Sequence, residues 1–271
     1  MAASLLLRRV RFASRLVVPY DEGRSRIVAD LRTALGLRLF RYGLRDPDIA
    51  LVRTLLSPGD IFVDGGANVG LFTLAAAARV GPMGRVLAFE PAPETAGMLR
   101  RNIALNSFHW VRVLEAALGE TAGARSFTAF SGDAAGFSSF VPEDGGGGTT
   151  CEVRVLRLDD VIGRGELRAL RLIKLDLEGA EVAALAGAAR VLRESDTDLL
   201  IEVEPAHLAR QGASDHQLLE LLTSQGYRLF RATASGDRPC LCEVAEPAGC
   251  NVFATRRLER VRGAGVAVAA P

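Results

Sequence analysis

The stretch FVDGGANVGLF, residues 62–72, does most to narrow what this chain can become. An apolar run leads into Asp64, glycines follow at 65, 66 and 70 with Asn68 among them, and a helix-forming run comes next. A strand that stops at a glycine cluster and restarts as a helix leaves backbone N–H groups at the helix start free to receive a ligand. The chain then keeps the same rhythm. The runs 61–66, RVLAFEP (85–91), VRVLEAAL (111–118), LRLIKLD (170–176) and DLLIEVE (198–204) read as strands. Helical patterns cover Asn68–Arg79, Glu94–Asn106, Glu181–Arg193 and Asp215–Gln225. Two late runs, YRLFRA (227–232) and NVFATRR (251–257), have no helix between them and read as antiparallel edge strands. Strand alternating with helix predicts an α/β fold, a mostly parallel sheet with helices on both faces.

At 271 residues the chain suits one domain of generous size. We place that domain at 58–257, after an N-terminal arm and partial cap (1–57) and before a C-terminal tail (258–271). An insertion at 119–162 interrupts it, and ARSFTAF (124–130) and CEVRVLRLDDVI (151–162) mark a β-hairpin with a mobile, glycine-rich tip around GGGG (145–148). The hairpin enters above the carboxyl edge of the sheet, where open α/β sheets bind ligands, so a substrate lid is expected. The first twenty residues carry four arginines and no acid, which fits an amphipathic helix or a loose arm. No uncharged apolar run approaches the ~18 residues of a membrane span, and cytoplasm is the default location. A formal charge of +1 gives no global pull toward nucleic acid. Cys240, Cys242 and Cys250 lack the paired spacing of a zinc site, and with Cys151 they read as reduced thiols.

A dinucleotide site asks for G-x-G-x-x-G at the first turn. With Gly66 as the first glycine, Asn68 stands where the second would let a pyrophosphate approach the backbone. Asp64 adds a carboxylate beside those phosphates. Both features argue for a ligand whose near end is positive or zwitterionic, and S-adenosylmethionine, with an ammonium, a sulfonium and no phosphate, is such a ligand. Glu90, twenty residues after Gly70 at the end of the second strand, is placed to accept ribose hydroxyls. A nicotinamide-dependent oxidoreductase would place an acid there too, but Asp64 and Asn68 stand against it.

The stretches VDGGANVGLFT, AFEPAPETAGMLRRNIALN, VLEAALGE and above all LIKLDLEGAE resemble the FkbM family of S-adenosylmethionine-dependent methyltransferases over about residues 58–205. The resemblance implies a class I methyltransferase (Rossmann-like) fold with a seven-stranded, mostly parallel sheet whose last strand is antiparallel. It implies O-methylation of hydroxyls on natural products or sugars. It also implies cofactor roles for Asp64, Gly66, Asn68, Gly70 and Glu90, with Glu115 and Ala116 near the adenine. Residues 1–50 and 131–150 carry little of the family pattern.

Lys174 and Asp176 lie two apart on a strand and so project to one face, with Glu178 opening the following turn. Lys174 is the only lysine in a chain whose other basic residues are arginines. We expect Asp176 to orient or deprotonate the acceptor hydroxyl and Glu178 to hold the substrate. The alternatives are Lys174 as a base with a pKa depressed by burial, or Lys174 as a structural ion-pair partner. Glu202 and Glu204 face one way on the fifth strand, and Glu204 and His207 at its carboxyl edge are candidates for the acceptor pocket. No metal-ligand spacing stands out, and no metal is expected. Asn106 reads as a helix C-cap, and Asp159 and Asp160 as turn or cap residues. The expected partner is a small-molecule or glycan acceptor. A nucleic-acid methyltransferase is disfavoured by a pI near 7.7 and 6% aromatics. A binding module that has lost its chemistry is disfavoured by the intact acids.

Overall fold

The computed structural model describes residues 14–130, 140, 148–235, 238–244, 247 and 249–269. Residues 1–13, most of the hairpin tip and part of GGGG lie outside them, so the expectations placed there are not addressed. The chain opens with an antiparallel hairpin, β1 (Arg15–Tyr20) and β2 (Ser25–Asp30), then helices α1 (Ala34–Tyr42) and α2 (Pro47–Leu55). Asp46 starts α2 by accepting from the N–H groups of Asp48 and Ile49 at 2.9 and 3.2 Å, with Pro47 set for the first turn. The expected arm is therefore a strand over 15–20.

The alternating part follows: β3 (Ile61–Gly65), α3 (Leu71–Val80), β4 (Arg85–Phe89), α4 (Pro93–Ala104) and β5 (Val111–Leu114). The run expected as one strand over 111–118 breaks after Leu114. Its end, β6 (Ala117–Leu118), leaves the main sheet and pairs in parallel with the insertion hairpin of β7 (Gly123–Ala129) and β8 (Thr149–Leu156). After the short α5 (Leu158–Val161) come β9 (Leu170–Leu175), α6 (Glu181–Ala186) and α7 (Ala189–Glu194). The single helix expected over 181–193 is thus two. The backbone at Gly187 packs so closely on the Gly119 carbonyl that a Cβ would stand 2.0 Å from it. Asp159 restarts the helix by accepting from the N–H groups of Arg190 and Val191, both at 2.9 Å.

The chain ends with β10 (Asp198–Val203), α8 (Pro205–Arg210), α9 (Asp215–Ser224), β11 (Arg228–Ser235), β12 (Arg238–Glu243), β13 (Cys250–Thr255), α10 (Leu258–Gly263) and β14 (Ala267–Val268). The main sheet runs β14-β12-β11-β13-β10-β9-β3-β4-β5. Strands β5, β4, β3, β9 and β10 are parallel, and β13 lies antiparallel between β10 and β11. These seven strands with their antiparallel last member are the expected class I arrangement. Two expectations are corrected: neither late strand is an edge, since β13 is interior and β11 has β12 beyond it. Residues 258–268 also join the fold, because α10 packs Leu258 and Val261 into the core and β14 extends the sheet.

The sheet separates two apolar cores. Alternate residues Phe62, Val86, Leu172, Leu200 and Phe253 face β1, α1, α2 and α3, while Val63, Leu87, Ile173, Leu199 and Ile201 face α6, α7, α8 and α9. The N-terminal hairpin is joined to this body through two asparagines. Asn102, fully buried on α4, accepts from Val28 N–H at 2.9 Å and donates to the Val69 carbonyl at 2.8 Å. Asn106 donates to the Asn102 carbonyl near the helix end, and it also accepts from Arg26 N–H and donates to the Arg26 carbonyl, each at 2.7 Å. Asn106 thus caps and staples together.

Replacing Asn102 by Ala leaves both backbone partners without their hydrogen bonds, at about 1–3 kcal/mol each. We expect Asn102→Ala to lower the unfolding free energy by about 2–4 kcal/mol in urea titrations. A loss under about 1 kcal/mol shows that the joint is not needed.

Candidate functional site

The first turn is built around a buried ammonium. Lys174 on β9 is the direct parallel neighbour of Asp64 on β3, and both are almost wholly excluded from solvent. Its Nζ donates to the carbonyls of Gly65 and Gly66 at 3.2 and 2.9 Å. The same nitrogen lies 3.6 Å from Asp64 and 3.3 Å from Asp176. Burial alone would lower the lysine's pKa, but the charges of Asp176 and Asp64 more than offset it, and the group is raised and charged. Lys174 does not have the depressed pKa that a base role required. Asp64 is pushed up by burial, against Lys174 and the Thr73 hydroxyl that donates to it at 2.5 Å.

Above this pair lies an open cavity of about 100 Å³, lined in part by Gly66, Asn68, Glu90, Ala116, Asp176 and Glu178. Glu90 accepts from the N–H groups of Asn68 and Ala92 at 2.9 and 3.0 Å. Burial pushes its carboxyl up to about 7 in spite of those two donors. Asn68 reaches this position with a φ of 49°, in the left-handed region that asparagine tolerates better than most residues. Gly66, at φ 70°, brings the turn so near β9 that a Cβ would stand 1.9 Å from the Asp176 carbonyl.

Several candidates stand elsewhere than expected. Asp64 lies beneath the cavity and not on its wall, with Lys174 and Thr73 as its partners. Gly70 begins α3 at φ 101° and packs toward Leu99, where a Cβ would meet the side chain at 2.6 Å. Glu115 is bound by Arg100 at 2.8 Å outside the cavity, while its neighbour Ala116 lines it. Glu204 falls past the end of β10 and caps α8, its carboxylate accepting from Ala206 N–H at 3.4 Å.

The strand-five acid that stands beside His207 is Glu202 and not Glu204. Glu202 lies within β10, on the face shared by Leu200 and Lys174, and its carboxylate stands 3.4 Å from His207 Nδ1. Glu178 stands 3.0 Å from the same nitrogen. The signal was present in the sequence, since Glu202 and Glu204 alternate on one face; what decides between them is where the strand ends. Burial pushes Glu178 up to about 8, with the charges of Asp176 and Glu181 adding to it and Arg210 and Lys174 opposing. Glu202 is pushed up to about 9 by burial and by Asp176, Glu178 and Glu181. Glu181, inside the motif LIKLDLEGAE yet not singled out by spacing, is fully buried and accepts from Leu177 N–H at 2.6 Å. Its carboxyl is raised to about 7 by burial, against those backbone donors. Phe127 and Phe140 of the insertion also line the cavity, and nothing in the sequence pattern marked them.

Residues 64–229, more than half of the chain, match the family model described as Methyltransferase FkbM domain. Methyltransferase sdnD of Sordaria araneosa is 31% identical over 209 residues, covering 66% of this chain and 78% of that protein. The 31-O-demethyl-FK506 methyltransferase FkbM of Streptomyces tacrolimicus is 34% identical over 160 residues, 49% of this chain and 60% of the relative. A solved methyltransferase FkbM from Methylobacillus flagellatus KT is 23% identical, covering 79% of this chain and 46% of that one, with a TM-score of 0.45.

Removing one member of a buried ion pair typically costs about 3–5 kcal/mol, because the other is left uncompensated. We expect Lys174→Met to cost about 3 kcal/mol or more in urea unfolding. The double variant with Asp64→Asn should cost less than the sum of the single changes. Strict additivity shows that the two side chains do not depend on one another.

Proposed function

The chain belongs to the FkbM methyltransferase family, and from that premise we propose that it transfers a methyl group to a hydroxyl oxygen of a small natural product or a sugar. The methyl donor is S-adenosylmethionine. The observation that carries the reading is one cavity with two unlike walls. Glu90 and the Asn68 turn stand on one side, and Asp176 and Glu178 on the other. The first wall suits the donor: Glu90 is placed to accept the two ribose hydroxyls, and backbone N–H groups near the start of α3 suit the carboxylate of its methionine end. The second wall suits an acceptor that must lose a proton. The relative from Streptomyces tacrolimicus, whose name places its methyl on an oxygen, supports the choice of acceptor atom.

In this reading the acceptor oxygen attacks the methyl carbon in line with the departing sulfur. The C–S bond breaks with its electron pair on sulfur, S-adenosylhomocysteine leaves, and the hydroxyl proton passes to a carboxylate. Asp176 is the proposed acceptor of that proton, because it opens on the cavity while anchored from behind by Lys174. A positioned base contributes about 10²–10⁴-fold. Lys174 and Asp64 act beneath the reaction, holding the turn and Asp176 in place. Glu178 and His207 bound the acceptor side, and no nucleic-acid partner is proposed.

Calorimetric titration with S-adenosylmethionine, S-adenosylhomocysteine and NAD tests the donor site. We expect binding of the first two only, weakened about 10- to 100-fold in Glu90→Gln as charge-assisted hydrogen bonds are lost. Isotope-labelled methyl donor with a panel of macrolide and sugar alcohols tests the transfer. Asp176→Asn should keep S-adenosylhomocysteine affinity and lose transfer by at least about 10²-fold. Binding of NAD alone, or label recovered on nitrogen or carbon, overturns the reading.

A further inference from the structure

Three elements meet beside the acceptor wall: the turn after β9 carrying Glu178, the end of β10 carrying Glu202, and α8 carrying His207. The turn and α8 are locked together. Gly179, at φ 101°, packs so tightly on the His207 carbonyl that a Cβ would stand 2.1 Å from it. One ligand atom from each of the three residues lies within 4.8 Å of the others. The imidazole Nδ1 is 3.0 Å from Glu178 and 3.4 Å from Glu202. Neighbouring donors around an ion bound at about 2.1 Å stand about 3.0–3.4 Å apart, so the imidazole lies from each carboxylate at a separation that hydrogen bonding and shared coordination both allow.

The surrounding charge favours coordination. Asp176, Glu178, Glu181 and Glu202 crowd one edge, and the nearest ammonium, Lys174, is already committed to Asp64 and Asp176. Arg210 also acts on Glu178 and offsets part of that charge. Glu181 supplies a second, separate sign. It is fully buried, its Oε2 finds no hydrogen-bond partner among the described residues, and its charge bears on both Glu178 and Glu202. A buried carboxylate oxygen without a partner against two further acids is costly unless a cation stands nearby.

We propose that Glu178, Glu202 and His207 bind a divalent first-row metal ion on the acceptor side of the cavity. Two carboxylates with one imidazole form a mixed oxygen and nitrogen set, which suits Mn²⁺ or Zn²⁺ better than Ca²⁺ with its six to eight oxygens. Three protein donors leave a position for a further ligand, and Glu178 is the member that opens on the cavity. The site itself follows from these residues alone. Its use rests on the methyltransferase reading: a hydroxyl with a pKa of roughly 15–16, like that of water, loses its proton far more readily when bound to such an ion. An ion held by Glu178, Glu202 and His207 would supply that acidification to an acceptor hydroxyl, and Asp176 would take the proton.

The full chain, stripped with a chelator, is titrated with MnCl₂ and with ZnCl₂ by calorimetry, and Mn²⁺ is followed in parallel by its spin-resonance signal. Binding of one equivalent is expected, weakened at least tenfold in Glu202→Gln and in His207→Ala, with S-adenosylhomocysteine affinity unchanged within twofold. Thermal melts check that the variants are folded, and Glu178→Gln replaces either one that is not. Absence of saturable uptake of both ions, or uptake that survives the substitutions, overturns the proposal and leaves the cluster a hydrogen-bonded group of acids around a histidine. S-adenosylhomocysteine binding without metal uptake sinks the metal site alone. Metal uptake without S-adenosylhomocysteine binding sinks the methyltransferase reading alone.

Discussion

The ammonium of Lys174 is the point on which the site depends. A buried cation is tolerated only when its charge and its donors are all answered, and here the answers come from separate parts of the chain. Asp64 and the Gly65 carbonyl lie at the end of β3, the Gly66 carbonyl in the turn, and Asp176 just past β9. Satisfying one side chain therefore fixes two strand ends and the glycine turn between them. A guanidinium would not serve, since its planar fork is larger and its donors point outward in fixed directions, whereas an ammonium offers three donors from a compact centre. That explains a lone lysine in a chain otherwise built with arginine. It also assigns Gly66 a reason unconnected with any ligand: the turn must pass within contact of the Asp176 carbonyl, and only glycine has room.

Beyond Asp176 that cation is outweighed. On one side Asp176 faces the ammonium at 3.3 Å; on the other it raises Glu178 and Glu202, which have far less positive charge to set against it. The cavity accordingly has two electrostatic characters. Near Glu90 the carboxylate is met by backbone N–H groups, and the wall is ready for hydroxyls. Near Glu178 the acids are crowded and under-compensated, which favours a cation or a proton. In the proposed reading the first would hold the methyl donor and the second would take up positive charge from the acceptor.

The sequence made the parallel core legible because each strand was short, apolar and closed by a glycine, proline or acid. It also located Glu90, Asn68, Asp176 and Glu178 on one cavity wall or another, since strand-end position is readable from the pattern. What it could not resolve were matters of a residue or two and of long-range packing. Whether Glu202 or Glu204 joins His207 turns on where β10 stops, and Pro205 starting α8 is what turns Glu204 into a cap. The split between α6 and α7 depends on Gly187 meeting Gly119, 68 positions away in sequence and invisible to any local period. Asp64 looked like a ligand contact because strand-end acids often are; its real partner, Lys174, is brought beside it only by the β3–β9 register. The asparagines of α4 were readable as helix punctuation, but not as the joints that hold the N-terminal hairpin.

The insertion shows how such a site can change acceptor while its donor side is kept. β6, β7 and β8 form a sheet of their own over a small cluster of Ala92, Ala117, Phe127, Val153 and Val155, with Phe140 packed edge-on to Phe127. That cluster shares no buried residue with the two cores on either face of the main sheet. Substitutions at Phe127 or Phe140 would reshape the cavity wall without disturbing the packing that positions Lys174 or Asp64. The donor half is bound by the stringent demands of a buried charge, whereas the hairpin half is held by ladder hydrogen bonds and a small apolar cluster with no buried ion pair among its described residues. Variation in what this fold accepts is physically cheapest in the hairpin.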